Sequence, residues 1–334
     1  MEKVRLGIVG LGWVSQVFHI PILSKFEDVE IVAVCDRDKS RAKMIADKFG
    51  FRKYYTDYQE LLAREELDAI DVCTSTDAHL PVTMASLQAG KDVFVEKPIA
   101  RRHAEALQMA EAAKQFKRKL MVGMNNRFRP DTIILKSFLE KEELGKIFYV
   151  KAGWLKKLSN ANPWITQKDK SGGGVFLDMG IVILDLILWM LGFPPVLRVS
   201  ANMYTQRTKS VEDSCVGFLE IKNHISVMIE TSWSLHSEQD FFYCDFFGSD
   251  GSAMINPLRV HKELHGNLVN VIPAKSESPL NLHKKSYENE LRHFLGAVHG
   301  LHPVISTGEE AVHRMKIVEA IYQSAAKNKE IIFR

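Results

Sequence analysis

Through its first 124 residues the chain alternates short apolar runs with longer segments of helical character. The runs are Val4–Val9, Val29–Cys35, Ala69–Thr74, Asp92–Lys97 and Leu120–Met124. Runs this apolar suit strands covered by helices on both faces, and strand–helix alternation predicts a doubly wound parallel sheet. Between them a helix from Lys39 to Phe49 stops at Gly50, Asp57 to Glu60 reads as a capping box, and a helix from His79 to Ala89 stops at Gly90. In an open parallel sheet, ligands sit beyond the carboxyl ends of the strands. The residues that follow each run are therefore the candidates for chemistry.

Beyond Asn125 the rhythm changes. A helix near Pro130–Lys141 and a strand over Ile147–Leu155 lead through an irregular loop, Ser159–Ser171, to Gly172-Gly173-Gly174 and an apolar helix. Strand-like runs then follow one another directly: Val196–Thr205, Ser214–Ile221, Ile225–Leu235, Phe241–Gly248 and Ser252–Ile255. Such succession predicts an antiparallel sheet and hence a second, α+β domain. Helices over Ser286–Val298 and Thr307–Lys327 and a short strand at Ile331–Phe333 close the chain. A chain of 334 residues exceeds one usual core, so the expected division is 1–124 and 125–334.

The first run ends in Gly10-Leu11-Gly12-Trp13-Val14-Ser15, a G-x-G-x-x-S turn into a helix. Gly10 permits the tight turn, Gly12 lets a pyrophosphate approach the backbone, and the helix N-terminus offers N–H groups and a favourable dipole. The second run ends in Asp36, 21 residues after Ser15. That is near the spacing of an acidic residue that binds the adenosine ribose hydroxyls. A carboxylate there repels a 2′-phosphate and favours NAD, while Arg37 beside it leaves NADP open. The fourth run ends in Glu96-Lys97-Pro98. Lysine is a compact charge on a flexible stem whose pKa falls when desolvated. Pro98 fixes the direction in which the chain leaves the strand, and a cis bond suits a tight turn there.

Composition narrows the partners. The formal charge of +3 argues for neither a nucleic-acid nor a membrane surface. Val175–Leu191 is the most apolar stretch, but Asp178, Gly180 and Asp185 within it favour a buried helix over a membrane span. Cys35, Cys73, Cys215 and Cys244 lie far apart, without a CxxC pair, and read as buried free thiols. The N-terminus runs directly into a strand with no signal-peptide pattern, so the expected compartment is the cytoplasm. No metal site is expected. His261-Lys262-Glu263-Leu264-His265 has the histidine spacing of a zincin, but its Glu is one position late and the motif needs a helix. His293, His299 and His302 read as surface or packing residues, and Asp185 as a structural carboxylate bonded to nearby backbone.

Taken in order, the Gly10–Ser15 turn, Asp36, Thr74…His79, Glu96-Lys97-Pro98, Arg127-Phe128 and Gly172-Gly173-Gly174…Asp178-Met179-Gly180…Asp185 resemble the Gfo/Idh/MocA family of NAD(P)-dependent oxidoreductases. The resemblance covers nearly the whole chain. It implies an N-terminal Rossmann domain, a C-terminal α+β domain with an open-faced antiparallel sheet, and an active site between them beside the nicotinamide. Cofactor contacts would come from Gly10, Gly12, Trp13, Val14, Asp36, Arg37, Thr74, Ser75, His79, Glu96 and Lys97. Lys97 would act on the reacting hydroxyl of a sugar, cyclitol or similar polyol, and Asp178 would contact that substrate, with Trp164 and Val182 at the pocket wall. A homodimer or homotetramer through the C-terminal sheet is also implied, and Trp233, Phe241, Phe242, Phe246 and Phe247 supply apolar bulk for it.

Two departures stand out. Thr74-Ser75-Thr76-Asp77-Ala78-His79 stands where the family often writes Thr-Pro-Asn-x-x-His. Val182 occupies the position, four residues after Asp178, where the family often has an acid/base histidine. Residues 178, 182 and 185 share one helix face by their i+4 and i+7 spacing. Three readings follow: a polyol dehydrogenase, a non-catalytic NAD-binding regulator or scaffold, and an NAD-assisted glycoside hydrolase or lyase.

Overall fold

The computed structural model describes residues 2–157, 164–273 and 277–333, so the start of the expected 159–171 loop lies outside the described residues. The chain divides into two compact units: Met1–Asn125 with Tyr287–Met315, and Asn126–Ser286 with Lys316–Arg334. The division thus differs from a single cut after residue 124 in giving Tyr287–Met315 to the first unit.

The first unit is built on strands β1 (Val4–Val9), β2 (Val29–Cys35), β3 (Tyr54–Tyr55), β4 (Ala69–Val72), β5 (Asp92–Val95) and β6 (Leu120–Val122). All pair in parallel in the order β3-β2-β1-β4-β5-β6. β4 and β5 are buried along their whole length, as their apolar runs require. β3 is new: two half-buried tyrosines make too short a run to stand out from the sequence. The order reverses direction between β1 and β4, which opens a crevice at the carboxyl ends of those strands. Beyond β6, Ser306 trades hydrogen bonds with Val122 through its backbone carbonyl (2.9 Å) and its hydroxyl (2.7 Å), tying the C-terminal segment of this unit to the sheet edge.

The second unit carries a nine-stranded sheet. Its strands are β7 (Ile147–Lys157), β8 (Val196–Tyr204), β9 (Ser214–Ile221), β10 (Ile225–Leu235), β11 (Phe241–Gly248), β12 (Gly251–Ile255), β13 (Arg259–Leu264), β14 (Asn267–Asn270) and β15 (Ile331–Ile332). The order is β14-β13-β12-β11-β7-β10-β9-β8-β15. One correction applies to the expected antiparallel sheet: β7 and β10 pair in parallel, and the other ladders are antiparallel. The hairpins β8-β9-β10 return to β7 only after the chain has passed through the apolar helix, and that crossover sets the parallel pair. His261 lies on β13 and not on a helix, which removes the geometry that a zincin motif needs.

The helix Ile181–Met190 packs on β7, and the turn before it, Phe176–Gly180, packs on β7 and β10. The helical run Lys168–Met190 is long and apolar enough to cross a bilayer, yet 89% of its apolar window is buried inside the protein. It serves as the core of this unit.

Candidate active site

The predicted cofactor residues gather at one edge of the parallel sheet because each follows the carboxyl end of a strand. Gly10 follows β1, Asp36 follows β2, Thr74 and Ser75 follow β4, and Glu96 and Lys97 follow β5. Gly10 has φ +93°, and a Cβ there would stand 2.6 Å from the backbone of Cys73 and Thr74, so only glycine fits. Gly12 differs: nothing lies within 4 Å of the place a Cβ would take, which leaves its backbone bare toward a ligand. That open cradle at a helix start fits the pyrophosphate of a dinucleotide. Ser15, in place of a third glycine, is small enough to be fully buried and so keeps the close helix–strand packing. Trp13 is 66% exposed, Val14 is half-buried and Arg37 is exposed.

Asp36 is buried and well engaged. Its carboxylate accepts from the Leu11 N–H (2.9 Å), the Asp38 N–H (2.9 Å) and the Arg41 guanidinium (3.2 Å). The bond to Leu11 ties the end of β2 to the glycine-rich turn. The guanidinium paired with Asp36 is therefore that of Arg41, a residue that the sequence reading passed over, although it lies on the first turn of the following helix.

The Glu96-Lys97-Pro98 turn is braced from two sides. The Lys97–Pro98 bond is cis. His79 is buried, with Nδ1 2.8 Å from the Pro98 carbonyl and Nε2 3.2 Å from the Thr74 carbonyl. Burial, offset in part by those two carbonyls, holds the His79 ring below its ordinary pKa and so neutral. A neutral ring has one N–H to give, and the shorter contact sends it to Pro98. On the other side, Glu96 accepts from the Lys97 N–H (3.0 Å) and meets His19 Nε2 at 3.1 Å. Burial alone would raise the Glu96 carboxyl, but the bond and charge of His19 prevail and hold it below the usual range.

His19 was not legible as a functional residue. It ends a π-helical turn, Ser15–His19, that follows the glycine-rich loop, and its ring is fully buried. Its Nδ1 meets Asp71 at 2.8 Å and Cys73 at 3.3 Å. The three residues have the types found in metal sites. Burial first, and Asp71 next, push the Cys73 thiol far up, so it stays protonated and donates to Asp71 (3.3 Å). The cluster's donors and acceptors are thus matched to one another.

In the second unit a second π-helical turn, Phe176–Gly180, carries Asp178. Asp178 is half-buried and accepts from the indole N–H of Trp233 at 3.3 Å. Val182 is 4% exposed and is the second residue of the following α-helix, Ile181–Met190. The π turn lengthens the repeat beyond 3.6 residues, so the uniform spacing that put 178, 182 and 185 on one face does not run through it. Asp185 is held by the Arg127 guanidinium at 2.6 and 2.8 Å, a side chain 58 residues away. The sequence reading had assigned it nearby backbone. Trp164 is half-buried in a turn whose carbonyl accepts from Gln167 N–H.

The glycine run before Asp178 has a packing cause. A side chain at Gly173 would strike the Tyr322 hydroxyl, and one at Gly174 would strike Glu212. Glu212 accepts from the N–H groups of Gly174 and Phe176 (3.0 Å each) and from Tyr322 (2.6 Å). Its burial pushes its own carboxyl up despite those bonds. The run therefore anchors the turn that presents Asp178.

Comparison with known proteins agrees with this geometry. Residues 4–124 match the model of the Gfo/Idh/MocA oxidoreductase family with an NAD-binding Rossmann fold, and residues 133–254 match the family's C-terminal domain model. The chain is 31% identical to the D-glucoside 3-dehydrogenase of Escherichia coli K12, over 97% of this chain and 96% of that protein. It is 25% identical to the inositol 2-dehydrogenase of Rhizobium meliloti, over 98% of each. Among solved structures, GenD2 from gentamicin A biosynthesis, in complex with NAD, superposes with a TM-score of 0.88 at 24% identity, covering 100% of this chain and 97% of that one. The chain belongs to the Gfo/Idh/MocA family of oxidoreductases, and its first 124 residues carry the family's NAD-binding Rossmann fold.

Proposed function

We propose that the chain oxidises a secondary ring hydroxyl of a hexopyranoside or cyclitol, reversibly, with NAD. The observation that carries this reading is Lys97, at the carboxyl end of β5, in a turn braced by Glu96 and His79. The full-length similarity to a glucoside dehydrogenase and an inositol dehydrogenase supports the substrate class. Bound NAD supplies the hydride acceptor. Lys97 takes the hydroxyl proton and, as an ammonium, stabilises the alkoxide charge that develops on oxygen. Asp178, steadied by Trp233, offers a carboxylate able to take a charge-assisted hydrogen bond from a substrate hydroxyl. Val182 has no proton to move, which leaves Lys97 and Asp178 as the proposed carriers of the proton, with Lys97 the principal one. A panel of glucosides, aldoses and inositols followed by nicotinamide absorbance tests this. Reduction of NAD on at least one of them is expected, and cofactor binding without turnover on any would overturn it.

NAD is the cofactor proposed in preference to NADP, because the Asp36 carboxylate would repel a 2′-phosphate. Titration of both should give NAD at least about tenfold tighter, with Asp36→Asn narrowing the gap, since like charges in contact cost several kcal/mol. A tighter NADP complex would mean that Arg37 and Arg41 dominate.

The second unit's sheet is assigned as the contact of a homodimer or homotetramer. By strand alternation and register, Tyr149, Val216, Met228, Phe241, Tyr243 and Phe247 share one face, opposite the one that packs on the helix Ile181–Met190. Val216, Met228 and Phe241 are 45%, 43% and 39% exposed, whereas Phe246 points the other way and is buried. The same face carries Lys151, Glu230 and Asp245, and its exposed apolar side chains are those that an association would cover. Light scattering at micromolar concentration should find an oligomer, and a monomer there would refute the assignment. The four buried free cysteines suit a reducing compartment, and the cytoplasm is the compartment we assign.

A further inference from the structure

The His19 imidazole touches two carboxylates, one at each ring nitrogen: Asp71 at 2.8 Å and Glu96 at 3.1 Å. A ring flanked at both nitrogens by carboxylate oxygens satisfies both contacts as a donor when it carries two protons. Burial opposes that charge, but the Asp71 carboxylate and the hydrogen bonds of Asp71 and Cys73 outweigh it, and the ring is held well above its ordinary pKa. The groups facing it are Asp71 and Cys73 from the end of β4, Glu96 from the end of β5, and the Tyr287 phenol ring at 5.9 Å from the helix Pro279–Val298. Phe94 closes a further side at 5.6 Å. The Tyr287 hydroxyl is itself kept protonated by burial and by Glu96. Glu96 in turn receives the backbone N–H of Lys97.

We propose that His19 is a positioning residue for Lys97: clamped between Asp71 and Glu96, its imidazolium fixes the Glu96 carboxylate and cancels the charge that would otherwise act on the neighbouring lysine. This rests on the reading of Lys97 as the acid/base. With His19 charged, the buried trio of Asp71, His19 and Glu96 presents one net negative charge; with His19 neutral it presents two. An opposite charge nearby favours the protonated lysine, so an uncompensated Glu96 would hold Lys97 as an ammonium unable to accept a proton. The device keeps Lys97 able to act as a base close to neutral pH.

Two measurements on the whole protein test this. In the wild type, imidazole nitrogen NMR should show His19 doubly protonated through pH 8, and a neutral ring at pH 7 would overturn the proposal. In His19→Gln, the titration of Lys97, read by NMR of isotopically labelled lysine, should move up by about one pH unit or more. Glu96→Gln should move it down. The rising limb of the oxidation pH–rate profile should follow each variant in the same direction, which a merely structural histidine would not produce. A folded His19→Gln protein that binds NAD and leaves the Lys97 titration unmoved would also overturn it. If His19→Gln does not fold, the wild-type imidazole measurement decides. The two readings fail separately: a fully active Lys97→Ala removes the catalytic role, while the NMR titration still judges the coupling.

Discussion

Lys97→Ala lowers turnover by about 10²-fold or more, the usual loss on removing a general acid/base, and leaves NAD affinity close to that of the wild type. The split is expected because Gly10 to Ser15 and Asp36, the residues proposed to take the pyrophosphate and the ribose, are held by other bonds: Leu11 N–H to Asp36, and Gly10 N–H to the Cys35 carbonyl at 2.8 Å. Val182 offers no substitute proton carrier. Steady-state kinetics on the true substrate, with NAD titrated separately, measures both quantities. Turnover unchanged by the substitution would remove Lys97 from the mechanism.

Asp185→Ala destabilises the protein by about 3–5 kcal/mol, the usual cost of breaking a buried ion pair by removing one member. Arg127 and Asp185 have side chains 0% and 2% exposed and share two short hydrogen bonds, with the Arg127 guanidinium also 5.1 Å from the Phe193 ring. Removing Asp185 takes both of these bonds from the buried guanidinium. Replacing both, Arg127→Met with Asp185→Leu, should recover much of the loss, because a buried ion pair and an apolar pair of similar volume are nearly equivalent. Denaturant unfolding of the single and double variants distinguishes this from a cavity effect. A single variant within about 1 kcal/mol of wild type would show that the pair is not the anchor proposed here.

Much of this molecule was legible before its structure. Val4–Val9 and Lys39–Phe49 have their expected limits because they end at Gly10 and Gly50, both with positive φ, and Val29–Cys35 ends at Asp36, whose carboxylate accepts from the Leu11 and Asp38 N–H groups. β13 and β14 were missed because they are exposed, carry His261, Lys262 and Asn267, and lack the apolar alternation that marks a half-buried strand. The parallel β7–β10 pair was beyond reach, since pairing partners are chosen by the path of the chain and not by either strand's own sequence. Gly10, Asp36, Lys97 and Asp178 could be singled out because each belongs to a local sequence pattern, and their roles are proposals. Their supports could not: His19 reaches Asp71 and Glu96 across 52 and 77 residues, and Glu212 reaches Gly174 across 38. The two π turns, Ser15–His19 and Phe176–Gly180, were equally invisible, because uniform helical spacing was assumed through both.

The central claim is that hydride leaves a carbinol carbon of a sugar or cyclitol and stays on the nicotinamide. The most direct measurement uses a substrate identified from the panel, deuterated at that carbon, with mass spectrometry of the recovered cofactor and product. The account predicts deuterium in the reduced nicotinamide, in step with the ketone formed. Deuterium absent from the cofactor, or returned to a cleaved sugar with no net reduction of NAD, would contradict it.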